Sequence, residues 1–311
     1  MKYPIFFDAK NSSNLFGFEK EFKLLNSLYK NLKLPKILLL SGDKGLGKST
    51  LVNHFLLSIF DEKNYDKEFY FIKNTSSVFS QFKNNIFPNI IYVQGSNFNT
   101  AKIDDIRNLK KEIFQSTIIH KDRFIIFDDI ELLNKNTLNA LLKIIEEPSD
   151  RNYFILINNK AMPLLETIKS RSLEFKLYVN EKNRKKVIDQ LIGKFKIETI
   201  LDQNKYNLSP GNFIKYDYIF NENNIQISDD IMNNLSILLK LYKKEREILF
   251  VNIAFFIVDY YFKDLSDKKS INNDKIYENK NFIIKSLNNF LLHNINHNNT
   301  INVIANKLNY G

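Results

Sequence analysis

Residues 42–50 read GDKGLGKST and match the pattern G-x-x-x-x-G-K-[ST] at each fixed position. In such a loop, glycines let backbone N–H groups turn inward around a phosphate group, and the lysine reaches the outer phosphate oxygens. An apolar run at residues 37–40 precedes the loop, and residues 51–60 show a helical pattern after it. Because a strand before the loop and a helix after it direct the helix N-terminus at the anion, the sequence predicts a phosphate-binding loop.

This loop predicts a bound nucleotide, either ATP or ADP, together with Mg²⁺. Lys48 is the expected contact of the β- and γ-phosphate oxygens, and Ser49 offers its hydroxyl to the metal. We assign nucleotide contacts to the whole loop: Gly42, Asp43, Lys44, Gly45, Leu46, Gly47, Lys48, Ser49 and Thr50.

A second strand that ends in acids follows at residues 124–129, FIIFDD. Four apolar residues deliver Asp128 and Asp129 to the carboxyl end of the predicted strand, and Asp128 is expected to hold Mg²⁺ through water. Asp129 falls where proteins with such a phosphate-binding loop that hydrolyse nucleotides usually carry glutamate, which orients the attacking water. Asp is one methylene shorter, and a displacement of about 1 Å can cost about 10²-fold in rate, so Asp129 is a weak candidate base.

Strands alternate with helices over the first half of the chain, which predicts an α/β domain with a parallel sheet covered on both faces. Further elements in this pattern are an amphipathic helix at residues 104–114 and a strand at 153–157. From about residue 180 onward the pattern is helical, with Asn- and Asp-rich loops predicted at 221–230 and 264–274. We expect three domains: an α/β domain (1–178), a small helical lid (179–222) and an all-α C-terminal domain (223–311).

The composition limits the kinds of site. The chain has no cysteine, so thiolate zinc sites and disulfides are excluded, and its four histidines are scattered. A net charge of +10 is compatible with nucleic-acid binding but also follows from an AT-rich coding sequence. The N-terminus lacks the features of a signal peptide, and the apolar stretch 248–258 is too short to cross a bilayer. We therefore expect a soluble, cytoplasmic protein with no membrane partner.

Residues 139–148, NALLKIIEEP, lie just after the strand that ends in acids and resemble a helix of the bacterial DNA polymerase III clamp-loader subunits. Ser170-Arg171-Ser172 resembles the Ser-Arg-Cys motif of that family, with serine in place of cysteine. The stretch 77–93 resembles the delta-prime type of subunit. Like that type, the chain has no four-cysteine zinc module. The resemblance implies an AAA+ fold and covers roughly residues 4–178.

The resemblance also implies roles for single residues. Arg171 matches an arginine finger that reaches the γ-phosphate of ATP on a neighbouring subunit. Asn158 and Asn159 both fall at the sensor 1 position near the γ-phosphate; Asn158 is favoured, but the sequence does not decide between them. Asn212 replaces the sensor 2 arginine of the family's Gly-Ser-Pro-Gly-Arg turn, and Lys215 follows one turn later, out of register.

The favoured function is a delta-prime-like subunit of a hetero-pentameric clamp loader, with the other loader subunits, a sliding clamp and primed DNA as partners. Its ATPase activity is expected to be weak or absent, and DNA synthesis would belong to the polymerase holoenzyme. Its C-terminal helices would join an oligomeric collar. A hydrolysing gamma/tau-like motor subunit is the main alternative. A P-loop kinase is less favoured because this sequence shows no cluster of acceptor-site arginines. A DNA-binding initiator is less favoured because no basic recognition helix is visible.

Overall fold

The structure is a computed structural model that describes residues 4–95, 110–111, 113, 122–146, 151–227, 230–267 and 273–310. The chain forms two compact units, one of Tyr3–Lys215 and one of Met1–Lys2 with Tyr216–Gly311. The predicted three-domain division, with boundaries after residues 178 and 222, stays a prediction. Most of the predicted helix at 104–114, and the last two residues of the motif at 139–148, lie outside the described residues.

The elements of the first unit alternate between strands and helices, as the sequence predicts. Short 3₁₀ helices lie at Ile5–Phe7, Ala9–Asn11 and Ile130–Leu132. The longer elements are α1 (Glu19–Lys30), β1 (Ile37–Ser41), α2 (Lys48–Phe60), β2 (Tyr65–Asp66), β3 (Phe71–Ile72), α3 (Ser77–Lys83), β4 (Ile90–Gln94), β5 (Arg123–Asp128), α4 (Lys135–Ile145), β6 (Asn152–Asn158), α5 (Glu166–Lys169), β7 (Leu173–Lys176) and α6 (Glu181–Phe195). Helix α7 (Pro210–Glu222) begins in this unit.

The central sheet has five parallel strands in the order β4-β5-β6-β1-β7. Every residue of β5 and β6 is buried, as expected for central strands of a sheet covered on both faces. The predicted α/β fold is therefore confirmed. The short edge strand β7 and the two-stranded β2-β3 sheet were not predicted.

The core lies on both faces of this sheet because successive strand side chains point in opposite directions. In β1, Leu38 and Leu40 pack on one side with Phe55 of α2, while Leu39 packs on the other side with Phe127. Capping side chains set helix starts: Asn134 accepts a hydrogen bond from the backbone N–H of Thr137 at 2.9 Å at the start of α4.

The second unit is helical. It holds the rest of α7 and four further helices: α8 (Ile231–Glu245), α9 (Ile248–Asp267), α10 (Asn273–Leu292) and α11 (His297–Tyr310). Helix α8 packs against α9, α9 against α10, α10 against α11, and α11 returns to α8. The predicted all-α C-terminal part is thus confirmed, but α7 and α9 extend into the stretches predicted as loops at 221–230 and 264–274. None of the helices in the described ranges is long and apolar enough to cross a membrane.

Candidate nucleotide-binding site

The phosphate-binding loop connects β1 to α2 at the carboxyl end of the sheet. Gly45 and Gly47 have φ values of +84° and +99°, which side chains with a Cβ rarely adopt. Gly47 is also the N-cap of α2. The glycines therefore let the chain turn from the end of a strand into the start of a helix, where the first backbone N–H groups have no acceptor within the helix and can bind an anion.

Lys48 is buried at the centre of this loop. Its Nζ donates hydrogen bonds to the carbonyl oxygens of Gly42 at 2.5 Å and Asp43 at 2.8 Å. Burial lowers the pKa of Lys48 to about 8, and the nearby carboxylate of Asp128 opposes this shift. The ammonium group is thus held by neutral carbonyls in a place where phosphate oxygens would be stronger partners.

Asp128 ends β5 beside the loop. Its Oδ2 accepts a hydrogen bond from Ser49 Oγ at 2.8 Å and a second one from the hydroxyl of Tyr92. Its Oδ1 accepts from the backbone N–H of Asp129 at 3.0 Å. Burial raises the pKa of Tyr92, so its hydroxyl keeps its proton and remains a donor. The structure therefore brings together the two predicted Mg²⁺ ligands, Ser49 and Asp128, and adds a tyrosine that the sequence analysis did not identify.

Asp129 is in the left-handed backbone conformation, with φ 54° and ψ 46°. Its Oδ1 accepts a hydrogen bond from Asn159 Nδ2 at 2.7 Å and lies 3.8 Å from Lys44 Nζ. Its Oδ2 accepts from Gln94 Nε2 at 3.0 Å. Both carboxylate oxygens of the weak candidate base are therefore engaged by side-chain donors.

The two asparagines at the end of β6 point in different directions. Asn159 Nδ2 reaches Asp129 and also Asp128 Oδ1, at 3.4 Å. Asn158 is the last residue of the strand, and its side chain donates to Ser41 Oγ at 3.4 Å and accepts from the backbone N–H of Lys160 at 2.9 Å. Asn159 is therefore the asparagine that contacts the two aspartates, whereas Asn158 was the favoured candidate for sensor 1; the sensor 1 role itself stays a prediction.

A buried acid that sequence reasoning missed fixes the chain after β6. Glu131 lies in the 3₁₀ helix after β5, and its Oε1 accepts hydrogen bonds from the backbone N–H groups of Asn159 at 3.0 Å and Ala161 at 3.2 Å. Burial raises the pKa of Glu131. Since the carboxylate holds the turn, it orients Asn159 toward the aspartates. An acid three residues after Asp128 was the available signal in the sequence.

Ser209 and the first turn of α7 pack directly on the phosphate-binding loop. Ser209 Oγ donates to the carbonyl of Lys44 at 2.6 Å, and the N–H of Gly211 donates to the carbonyl of Gly45 at 2.8 Å. A Cβ on Gly45 would lie 2.6 Å from Asn212 Oδ1, so Asn212 lies against the loop backbone. Lys215, one turn later, lines the cavity above the loop, and burial lowers its pKa.

Arg184 of α6 holds that turn in place and was also missed from the sequence. Its buried guanidinium donates to the carbonyl of Gln203 at 2.9 Å and to those of Tyr206 and Leu208 at 3.4 Å. These carbonyls belong to the loop that leads into Ser209. Arg184 is therefore a positioning residue for the turn that covers the phosphate-binding loop.

The loop opens into a cavity of about 440 Å³ with mixed polar and apolar walls. Its walls include Lys48 and Ser49, the aspartates with Asn159, the N-terminal residues 6–10, and Lys215. A smaller apolar cavity of about 110 Å³ adjoins the loop between Phe6, Leu46, Leu191 and Ile214. A cavity with charged residues in its walls beside an apolar cavity suits a ligand with phosphates at one end and an aromatic base at the other.

A family model described as "DNA polymerase III, delta subunit" matches residues 17–181 of this chain. The chain belongs to this family. The resemblance that the sequence analysis drew from the motifs at 139–148 and 170–172 is therefore confirmed, and both motifs lie inside the matched range.

Curated proteins similar to this chain are named as more than one kind of DNA polymerase III subunit. The chain is 29% identical over 205 residues to "DNA polymerase III subunit delta'" of Buchnera aphidicola subsp. Schizaphis graminum, covering 61% of this chain and 60% of the relative. It is 24% identical over 170 residues to "DNA polymerase III subunit gamma" of Buchnera aphidicola subsp. Acyrthosiphon pisum, covering 55% and 45%. The chain thus spans about half the length of these curated relatives.

A solved structure with a similar chain is a DNA polymerase III gamma subunit-related protein from Thermotoga maritima. The sequences are 17% identical, the match covers 91% of this chain and 98% of the other, and the TM-score is 0.43.

Arg171 is outside the group of residues that line the two cavities. It follows α5 on the surface, where its Nη2 pairs with Glu146 Oε1 at 2.9 Å and its Nη1 donates to the carbonyl of Thr167 at 3.1 Å. The structure therefore brings together the predicted loop, acids and asparagines of the site, and it keeps the predicted arginine finger apart from them.

Proposed function

We propose that this chain is a delta-prime-like subunit of the DNA polymerase III clamp loader. It binds ATP or ADP at the loop of residues 42–50, hydrolyses it slowly or not at all, and contributes Arg171 to a neighbouring subunit. Its partners would be the other subunits of a hetero-pentamer, the sliding clamp and primed DNA. Helices α8–α11 would supply its share of the collar that joins the subunits.

The observation that carries the proposal of slow or absent hydrolysis is that both carboxylate oxygens of Asp129 accept hydrogen bonds from side chains. A general base must accept a proton from water within hydrogen-bond reach, and it needs a free lone pair directed at that water. Asn159 and Gln94 each donate to one oxygen of the Asp129 carboxylate, at 2.7 and 3.0 Å. A water molecule at Asp129 would therefore share each carboxylate oxygen with a side-chain donor that already fixes its orientation, which disfavours Asp129 as the base.

The residues of the cavity fit a nucleotide. Lys48 and Lys215 supply positive charge at the walls, and the free N–H groups at the start of α2 add to it. When bound, Mg²⁺ neutralises charge on the phosphate oxygens, and the hydroxyl of Ser49 and carboxylate of Asp128 are oxygen ligands of the kind it prefers. The described residues contain no group of three or more His, Cys, Asp or Glu side chains suited to a metal.

The covering turn also suits static binding. Asn212 carries no charge and lies against Gly45, so the position of the family's sensor 2 arginine contributes contact with the loop and no attraction for phosphate. Lys215 is the cation that α7 brings to the cavity. A nucleotide held by this turn would stabilise the folded unit as any ligand specific for the native state does.

Arg171 is available to a second chain because its present partner is a weak competitor. Its ion pair with Glu146 is half exposed, and such pairs contribute at most about 1 kcal/mol. A guanidinium that leaves this pair for the triphosphate of a neighbour would gain charge-assisted hydrogen bonds of the bidentate kind. This supports a role in trans.

A hydrolysing motor subunit is the second candidate. The contact between Ser49 and Asp128 at 2.8 Å is the observation that favours it, because it places the two expected oxygen ligands of Mg²⁺ side by side. In that case the isolated chain would turn over ATP rapidly, and Lys48→Ala would abolish the activity.

The test is ATP turnover by the isolated chain and by the complex reconstituted with its partner subunits, clamp and primed DNA. We expect little turnover by the isolated chain, and a loss of stimulated turnover in the complex that contains Arg171→Ala. Arg151→Ala, a change at another exposed arginine of the same unit, is the matched control and should leave turnover unchanged. Full stimulated turnover with Arg171→Ala would contradict the role in trans.

A further inference from the structure

The carboxylate of Asp128 already receives four hydrogen-bond donors. Ser49 Oγ and the Tyr92 hydroxyl donate to Oδ2, while the backbone N–H of Asp129 and the side chain of Asn159 donate to Oδ1. An ionised carboxylate offers about four lone-pair sites in total. A metal ion, or a water molecule bound to it, therefore needs one of these donors to leave.

Of the four donors, Tyr92 is the one whose departure would free Asp128 Oδ2, the oxygen next to Ser49, for a metal ion or its bound water. Ser49 can turn a lone pair toward a metal and still donate its hydrogen to Asp128, because a hydroxyl is both donor and acceptor. The donors from Asp129 and Asn159 lie on the other oxygen. The Tyr92 hydroxyl shares Oδ2 with Ser49.

The ring of Tyr92 is fixed where it can hold this bond. It lies on β4, which pairs with β5 so that Gln94 is opposite Asp128, and Tyr92 is two residues earlier on the same face. Lys10 Nζ lies 4.1 Å from the ring centroid and donates to Asn85 Oδ1 at 2.6 Å. The N-terminal segment thus covers the ring, and Tyr92 is held between that segment and the sheet.

We propose that Tyr92 competes with Mg²⁺ for Asp128, so that this site binds nucleotide with little help from the metal. The inference rests on the proposed nucleotide binding at the loop of residues 42–50. It adds a regulatory property to that site: the phosphates are held by Lys48, Lys215 and backbone N–H groups, and the metal contributes fully only when the tyrosine hydroxyl is displaced or removed.

The experiment is a titration of the full chain with a fluorescent ADP analogue, followed by anisotropy in EDTA and in excess Mg²⁺. In the wild-type chain Mg²⁺ should change the affinity less than about threefold, and in Tyr92→Phe it should tighten binding about tenfold, as removal of a hydrogen bond to a charged group allows. Affinity in EDTA should be the same for both. Tyr178→Phe removes a hydroxyl from an exposed ring and should behave as wild type.

Electron paramagnetic resonance with Mn²⁺ gives a second readout: the sharp signal of the free aquo ion falls as metal binds, and subtraction of the Mn²⁺ bound by ADP alone gives the metal bound to the chain–ADP complex. Tyr92→Phe should hold more Mn²⁺ than the wild-type chain at equal free metal. The role of Tyr92 is overturned, and nucleotide binding stands, if Mg²⁺ tightens ADP binding equally in both chains. Absence of ADP binding by the wild-type chain in either buffer would overturn the nucleotide proposal and this inference together.

Discussion

His54 makes the stability of the first unit depend on pH, and the surroundings of its ring determine whether stability rises or falls as the pH falls. The ring lies fully buried in α2, with Nε2 at 3.1 Å from the carbonyl oxygen of Ser12 and Nδ1 at 2.9 Å from the hydroxyl of Tyr65. A carbonyl only accepts, so Nε2 carries the proton and Nδ1 accepts from Tyr65. Protonation of Nδ1 would end its acceptance of that hydrogen bond and bury a charge, and burial lowers the pKa of His54 to about 3.

The size of the effect follows from the two pKa values. In the unfolded chain an imidazole has a pKa of about 6.5, so the unfolded state takes up the proton first as the pH falls. Stability contributed by neutral His54 is complete above about pH 6.5 and is lost as the pH falls toward the folded-state value. Between about pH 7.5 and about pH 5 the loss is roughly 2 kcal/mol, at 1.36 kcal/mol for each pKa unit.

The assay compares the wild-type chain with His54→Gln, which keeps an amide donor and acceptor but does not titrate. Urea unfolding followed by hydrogen exchange and mass spectrometry of α2 peptides reports on this unit alone. We expect the difference in unfolding free energy between the two chains to shrink by roughly 2 kcal/mol from about pH 7.5 to about pH 5. Titrations shared by both chains cancel in this difference.

A difference that stays constant over this pH range would refute the reasoning. Nuclear magnetic resonance of the His54 ring protons gives an independent check that does not need the variant. Their chemical shifts should not change between about pH 8 and about pH 5, because the folded-state pKa lies well below that range.

Two further predictions concern close packing. Gly45→Ala should abolish ADP binding and lower the unfolding free energy by about 1–3 kcal/mol, because its φ is +84° and the new Cβ would lie 2.4 Å from Ser209 Oγ; calorimetric titration and urea unfolding check it. Gly193→Ala, in α6, is the matched control, because the new Cβ would have no neighbour within 4 Å other than adjacent residues and the backbone of its own helix; it should raise stability by about 0.5–1 kcal/mol. Phe124→Ala removes a fully buried ring and should lower the unfolding free energy by about 3–5 kcal/mol, whereas Phe69→Ala at an exposed ring should change it by less than about 0.5 kcal/mol; equal effects would contradict this account of the core.

The strands at the centre of the sheet were predictable because both of their faces are buried. Such strands appear in a sequence as unbroken apolar runs, as at residues 37–40 and 124–127. Strand β7 reads LEFK, and four residues that alternate between apolar and charged are too few to separate from a turn or a short helix. Edge strands of this length are recognisable only from their pairing.

The site was predictable in its motifs but not in its cross-chain contacts. The choice between Asn158 and Asn159 depends on which residue ends β6, and a boundary error of one residue reverses the direction of a side chain. Tyr92 contacts Asp128, which is distant along the chain, so no local pattern marks it. Glu131 has a local signal, its place three residues after Asp128, but its bond to the backbone N–H of Asn159 is visible only in the structure. The register of β4 with β5 is what brings Tyr92 to Asp128.

The pairing of β7 with β1 gives the chain a polarity. Both strands run in the same direction, and Ser41 at the end of β1 is opposite Lys176 at the end of β7. The nucleotide loop follows the carboxyl end of one strand, whereas Arg171 precedes the amino end of the other. If Arg171 acts on a neighbouring subunit as proposed, each subunit receives an arginine at its phosphate-binding loop and supplies one next to β7. Such subunits assemble head to tail through a heterologous contact, and this fixes their order around a ring or arc. In an open arc of such subunits, the subunit at one end supplies its arginine to a neighbour and receives none itself.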